Sequence, residues 1–240
     1  MNYGEIWQLG RHKLMCGDAT NRDDVYKLVG SENIDLVLTD PPYGMKCQRY
    51  DGTVARFTAN TIHSKPRPAK VFPFMLNDDS PDTAKKFYEL IKDYDATKII
   101  WGGQYFANFL PISGAWIFWD KLTGNNDFSD GELAWCSRGK RVRKYTHLWK
   151  GLCREGSTIL NPCPKVHPTQ KPVELHAQIL EDFSKEGDVI LDCFGGSGTT
   201  LLASEQAKRE CLMMEISREY CDVIINRYEK LTGIKAERIA

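Results

Sequence analysis

Three short apolar runs in this chain each deliver a carboxylate to one end. Ile34-Asp35-Leu36-Val37-Leu38-Thr39 runs into Asp40, Val189-Ile190-Leu191 into Asp192, and Cys211-Leu212-Met213-Met214 into Glu215. Runs this short and this apolar read as buried strands, and an acid at the tip of one belongs where the sheet gives way to solvent or a ligand. With them, strands are expected near 13–17, 34–39, 97–101, 115–119, 188–192 and 211–215, and helices near 21–30, 81–94, 171–185, 198–208 and 217–232. Strands alternating with helices predict an α/β fold built on a doubly wound, mostly parallel sheet, with ligands beyond the C-terminal strand ends.

At the first tip stands Asp40-Pro41-Pro42-Tyr43. The two prolines fix φ, remove two backbone donors and cannot continue a sheet. The result is a rigid group with one carboxylate, outward carbonyls to accept hydrogen bonds, and a ring to stack on something flat. That combination suits the exocyclic amino group of a nucleobase. A plain strand-ending turn explains a proline but neither the acid nor the tyrosine.

At the second tip, Asp192 leads into Cys193-Phe194-Gly195-Gly196-Ser197-Gly198-Thr199-Thr200 and then a helical stretch. Strand, glycine turn and helix place a ligand against bare backbone at a helix N-terminus. A phosphate-binding loop requires Gly-Lys-Ser/Thr, but Gly198 is followed by Thr199-Thr200; a dinucleotide fingerprint requires glycine where Leu201 stands. Glu215, about 20 residues further at the next strand tip, is placed to accept hydrogen bonds from ribose hydroxyls.

Asp-Pro-Pro-Tyr together with a Phe-x-Gly-x-Gly-Thr loop resembles the amino-methylating DNA methyltransferases, the N6-adenine/N4-cytosine family, and the order of the two motifs resembles the permuted beta group. The likeness extends to Cys16-Gly17-Asp18-Ala19, to Ile99–Phe106, to Ala115–Lys121 and to His167-Pro168-Thr169-Gln170-Lys171-Pro172, so it spans about residues 12–231. It implies a Rossmann-like methyltransferase fold and S-adenosyl-L-methionine as methyl donor. Asp40, Pro41, Pro42 and Tyr43 become the catalytic motif. The cofactor side comprises Asp18, Ala19, Asp40, Thr169, Lys171, Pro172, Asp192, Phe194, Gly195, Gly196, Ser197, Gly198, Thr199, Glu215 and Ile216. For Lys171 a surface position at a helix start is the rival. Tyr43 is expected to stack on a base flipped out of double-stranded DNA, and a homodimer is expected by the same resemblance.

The chain's 240 residues are expected to form one domain, residues 1–240, with DNA-recognition insertions: a basic loop at 44–72 and a target-recognition segment at 122–166. With 32 basic and 32 acidic side chains, no global field drives it onto a polyanion. The basic residues are nevertheless clustered. Lys46, Arg49 and Arg56 fall in the first loop, and Arg138, Lys140, Arg141, Arg143 and Lys144 in the second segment, where Tyr145, His147 and Trp149 are interleaved. Both clusters are expected to contact DNA phosphates, with a few side chains reading base edges. The eight cysteines contain no C-x-x-C pair and read as reduced core residues of a cytoplasmic protein, with no metal and no membrane span.

An adenine or cytosine amino group is a poor nucleophile because its lone pair is delocalised into the ring. Asp40 and the Pro41 carbonyl are expected to accept its N–H bonds and leave the lone pair aimed at a methyl, with orientation supplying much of the rate. Cys47 lacks the preceding proline found in ring-carbon methyltransferases, so a covalent thiol intermediate is not expected. Within the resembled family, Asp at the first motif position goes more often with adenine than with cytosine. An RNA methyltransferase and a catalytically silent DNA-binding subunit are the remaining alternatives.

Overall fold

A computed structural model describes residues 1–45, 79–123, 129–150, 153–154, 167 and 169–240. Lys46, Arg49, Arg56 and the rest of the basic loop beyond residue 45 lie outside these residues, as does much of 122–166. In chain order the strands are β1 (Ile6–Leu9), β2 (His12–Cys16), β3 (Leu36–Thr39), β4 (Thr97–Trp101), β5 (Ala115–Asp120), β6 (Gly131–Cys136), β7 (Val142–Thr146), β8 (Trp149–Lys150), β9 (Cys153–Arg154), β10 (Val189–Asp192), β11 (Glu210–Glu215) and β12 (Glu237–Arg238). The helices are α1 (Arg22–Val29), α2 (Asp82–Ile91), α3 (Val173–Phe183), α4 (Thr199–Gln206) and α5 (Arg218–Thr232).

Ten strands form one sheet in the order β12-β1-β2-β11-β10-β3-β4-β6-β5-β7, while β8 and β9 pair separately. Its middle, β2-β11-β10-β3-β4, is parallel throughout. Antiparallel pairs are confined to the flanks, at β12-β1-β2 and β4-β6-β5. The doubly wound expectation holds, and the sequence-predicted strands and helices are all present to within two or three residues at their ends.

The central strands are buried on both faces because helices cover both. Val37, Leu191, Leu212 and Met214 pack under α1 and α2 through Val25, Leu28, Phe87 and Ile91. Leu36, Leu38, Ile99 and Ile190 pack against Leu175 and Ile179 of α3 and Ala203 of α4. Leu14 and Met213 meet Leu201 of α4 and Ile224 and Tyr228 of α5. This two-sided burial explains why the central strands are apolar runs without alternation. Cys16 and Cys211 lie on these strands and Cys193 just beyond one; with Cys136 on β6 and Cys221 on α5 they are buried and free.

The 122–166 segment is described only in part. Its described part contributes β6, which is intercalated between β4 and β5, and β7, which runs parallel to β5. The first three of the five β7 residues are exposed, so the strand lacks an apolar pattern and does not announce itself in the sequence. Among the described residues no helix is long and apolar enough to cross a membrane.

Candidate functional site

Strands β10 and β3 are parallel neighbours whose chains then diverge, β10 to β11 on one side and β3 to β4 on the other. This reversal opens a crevice beyond the strand C-termini. Asp192 ends β10, Asp40 follows β3, and the Thr39 hydroxyl donates to Asp192 Oδ1 at 2.7 Å across the divide. One open cleft, enclosing about 360 Å³ including its mouth, is lined by Asp40, Asp192 and the glycine turn together with Thr169, Lys171 and His176.

The turn is shaped by Asp192 and Glu215. The Phe194 N–H donates to Asp192 Oδ1 at 3.1 Å, the Gly196 N–H to Glu215 Oε2 at 2.6 Å, and the Ser217 N–H to Glu215 Oε1 at 2.8 Å. Gly198 caps α4 with φ of 78°, a left-handed conformation that a side chain resists. Burial pushes both acids up to about 6. Donors to each carboxylate work against that rise: for Asp192, Thr200, Thr39 and the Phe194 N–H; for Glu215, the Ser217 and Gly196 N–H groups.

On the other side of the cleft, Asp40 is held at both oxygens. The Tyr43 hydroxyl donates to Oδ1 at 2.6 Å, and the Lys171 ammonium donates to Oδ2. The Tyr43 ring stacks on Tyr105 with centroids 5.1 Å apart, and its edge meets Phe106. Gly102, at φ of 72°, makes room: a Cβ there would lie 2.2 Å from the Tyr43 ring. Burial, with the Asp40 charge beside it, holds the Tyr43 phenol well above its ordinary range.

Lys171 is buried, at 4% side-chain exposure, which overturns the surface alternative for it. Its partners are Asp40 and Glu132 Oε2 at 3.2 Å, and the ammonium lies 5.1 Å from the centre of the Trp101 ring. Burial opposes its charge, yet Asp40 and Glu132 outweigh that and raise its pKa. Glu132 is also bonded to Lys121 Nζ at 2.5 Å. Burial alone would raise the Glu132 carboxyl, but Lys171 and Lys121 bring it down to about 2. His176 lies parallel to Trp101 and meets Thr200 Oγ1 through Nδ1 at 3.1 Å, while its Nε2 has no partner. Burial, then the Lys171 charge, depresses His176 to about 3, so it is neutral.

The cleft thus gathers Asp40, Thr169, Lys171, Asp192, Phe194, Gly195, Gly196, Ser197 and Thr199 from sites far apart in the chain. Asp18 and Glu215 sit outside its lining but at adjacent strand ends, where the Gly17 N–H donates to the Glu215 carbonyl at 3.1 Å. Ala19 and Ile216 flank those two acids, and Pro172 and Gly198 precede the first residues of α3 and α4. Glu132, Lys121, Trp101, Tyr105 and His176 are not among the sequence-predicted site residues. Glu132 carried a signal, an acid in the second place of the otherwise apolar strand Gly131–Cys136. His176 carried none, since it shares the apolar face of α3 with Leu175 and Ile179.

Among the basic residues, three already have carboxylate partners: Arg138 with Asp95, Arg143 with Asp182 at 3.0 Å, and Lys144 with Asp120 at 2.7 Å. Lys140 and Arg141 are exposed. The interleaved aromatics are not on that surface. Tyr145 is buried and donates to Asp182, His147 is buried, and Trp149 packs against the core. Alternation along β7 turns Tyr145 inward and its neighbours out, so the rings interleaved with the cations in sequence are separated from them in the fold.

Residues 123–227 match the model of a family described as DNA methylase, N6/N4 type. The chain is 25% identical over 250 residues to the type II methyltransferase M.HpaI of Haemophilus parainfluenzae, covering 90% of this chain and 74% of that protein. It is similar in fold to the PvuII DNA methyltransferase (cytosine-N4-specific), with a TM-score of 0.60 at 16% identity over 97% of this chain and 94% of that one. It is likewise similar to the structure of an M1.HpyAVI–SAM complex, with a TM-score of 0.52 at 21% identity over 89% and 98% of the two chains.

Proposed function

We propose that this chain, which is similar to the amino-methylating DNA methyltransferases of the N6-adenine/N4-cytosine family, moves a methyl group from S-adenosylmethionine to N6 of an adenine in double-stranded DNA. The observation that carries this reading is the shared crevice: Asp40 and the glycine turn line one cleft at the switch point of the sheet. The choice of adenine rests on Asp at the first position of the Asp-Pro-Pro-Tyr motif.

The cleft fits the donor. Backbone at Gly195 and Gly196 leaves it uncrowded, carboxylates at Asp192 and Glu215 have lone pairs left for hydroxyl or cationic donors, and the buried Nε2 of His176 has no partner. Phe194, Gly195, Gly196, Ser197, Gly198, Thr199, Asp192, Glu215, Ile216, Asp18, Ala19, Thr169, Lys171 and Pro172 would hold it. When bound, S-adenosylmethionine supplies an electrophilic methyl on a sulfonium.

Asp40 and the Pro41 carbonyl accept the N–H bonds of the target amino group. This draws the nitrogen toward tetrahedral geometry and leaves its lone pair free. Lys171 and Tyr43 fix the carboxylate while it does so, and orientation supplies much of the rate. The Tyr43 ring, backed by Tyr105, offers the flat face for a base taken out of the duplex. Asp40 needs little basicity, because the nitrogen becomes acidic as the new bond forms.

The test is incubation with labelled S-adenosylmethionine and unmethylated genomic DNA, then nucleoside digestion and mass spectrometry. N6-methyldeoxyadenosine is the expected product. N4-methyldeoxycytidine would overturn the choice of base, and no methylated deoxynucleoside would overturn the reading as a DNA-modifying enzyme.

A further inference from the structure

Resting on the reading of Asp40 as the carboxylate that receives the amino group, we propose that Glu132 is a positioning residue that clamps Lys171 against Asp40 and so fixes the aim of that carboxylate. Glu132 is placed for this by the sheet: β6 lies between β4 and β5, in register with Trp119 near the C-terminal end of β5. There it faces Lys171, which arrives from the segment before α3. The result is a line of alternating charge, Lys121–Glu132–Lys171–Asp40, closed by the Tyr43 hydroxyl.

Two features make the arrangement more than a brace. A lysine ammonium is a point charge on a flexible stem, so one carboxylate would tether it without setting its direction. Partners on two sides, with the Trp101 ring beside them, define its position. The second feature is capacity. Both Asp40 oxygens already accept a hydrogen bond, so an incoming amino group must share them. Glu132 lets the ammonium shift its weight away from Asp40 without being left buried and unpaired, a condition that is costly for a charge.

The groups facing Lys171 are Asp40 after β3, Glu132 on β6 and the neutral His176 on α3. Lys121 and Tyr43 lie behind the two carboxylates, and Asp192 at the end of β10 acts on the Asp40 side. Burial opposes the Lys171 charge, and the two acids more than offset it. Replacing Glu132 by glutamine keeps the size and one acceptor but removes one of those two charges.

The experiment follows the Lys171 ε-carbon by NMR in ¹³C-lysine-labelled protein free of cofactor and DNA, the signal being assigned with Lys171→Arg. In Glu132→Gln its titration midpoint should fall by about one pH unit or more. Single-turnover DNA methylation should drop roughly 10- to 100-fold, gain a fall on the alkaline side, and leave cofactor affinity within about threefold. Glu132→Asp, which restores the charge on a shorter stem, should recover part of both. An unmoved lysine titration overturns the proposal, as does a rate loss that tracks melting temperature and is independent of pH. Asp40→Asn separates the two levels. If it transfers methyl at the native rate, the reading of the site itself falls. If it is inactive while Glu132→Gln behaves as native, only the role of Glu132 falls.

Discussion

The two walls of the cleft hold carboxylates by opposite means. Asp40 and Glu132 are neutralised by the lysines Lys171 and Lys121. Asp192 and Glu215, which are more deeply buried, are given only hydroxyl and backbone N–H donors. The consequence is visible in their acidity: Glu132 falls to about 2, whereas Asp192 and Glu215 rise to about 6. A cation outweighs desolvation in one wall, and neutral donors fall short of it in the other. Glu132 therefore keeps its charge at any physiological pH. The second wall is left electrostatically unbalanced, which suits a site that receives a positively charged ligand.

Breaking the first wall should have the largest effect. Asp40→Ala removes the acceptor for the amino group, and methyl transfer should fall by at least the roughly 10²–10⁴-fold associated with losing a positioned proton-handling group. Cofactor affinity, measured by calorimetry, should stay within a few-fold. A comparable loss of cofactor binding would mean that Asp40 belongs to the other wall.

The second wall is probed by pH. Glu215 has a folded pKa raised from 4.5 to about 6, so its neutral form is favoured by folding; the stability it contributes is present below about 4.5 and lost as pH rises through about 6. For ligand binding the sign reverses, because hydroxyl donors need the ionised acceptor. Cofactor affinity should therefore weaken as pH drops through about 6. Glu215→Gln should flatten that dependence and cost on the order of 1.5–3 kcal/mol at neutral pH, the worth of a charge-assisted hydrogen bond. An unchanged dissociation constant would leave Glu215 as a support for the glycine turn alone.

This contrast marks the boundary of what the sequence discloses. Buried parallel strands are legible because two-sided burial leaves an apolar run, and Asp40, Asp192 and Glu215 are legible because each stands at the tip of one. The partners are not, since pairing across the cleft depends on strand order. Lys171 reads as either a surface or a cofactor-side lysine because nothing local reveals that β6 inserts beside β4 and brings Glu132 to meet it. For the same reason β7, polar and at the sheet edge, is not legible as a strand.

The smallest expected effect extends the paired-versus-unpaired distinction to the surface cations. Lys140 and Arg141 are exposed, while Arg143 is bonded to Asp182 and Lys144 to Asp120. A cation with a carboxylate partner must give up that pair to take a phosphate, although exposed pairs are worth only about 0–1 kcal/mol. Reversing Lys140 and Arg141 together to glutamate should weaken DNA binding. The slope of log affinity against log salt should shrink by about one for every phosphate that these two cations neutralise. Arg143→Glu should change that slope less, because part of the Arg143 charge is already spent on Asp182. If Arg143→Glu moves the slope as far as the double reversal, pairing does not decide which cations reach DNA. A slope unmoved by either would make this face a solvated one.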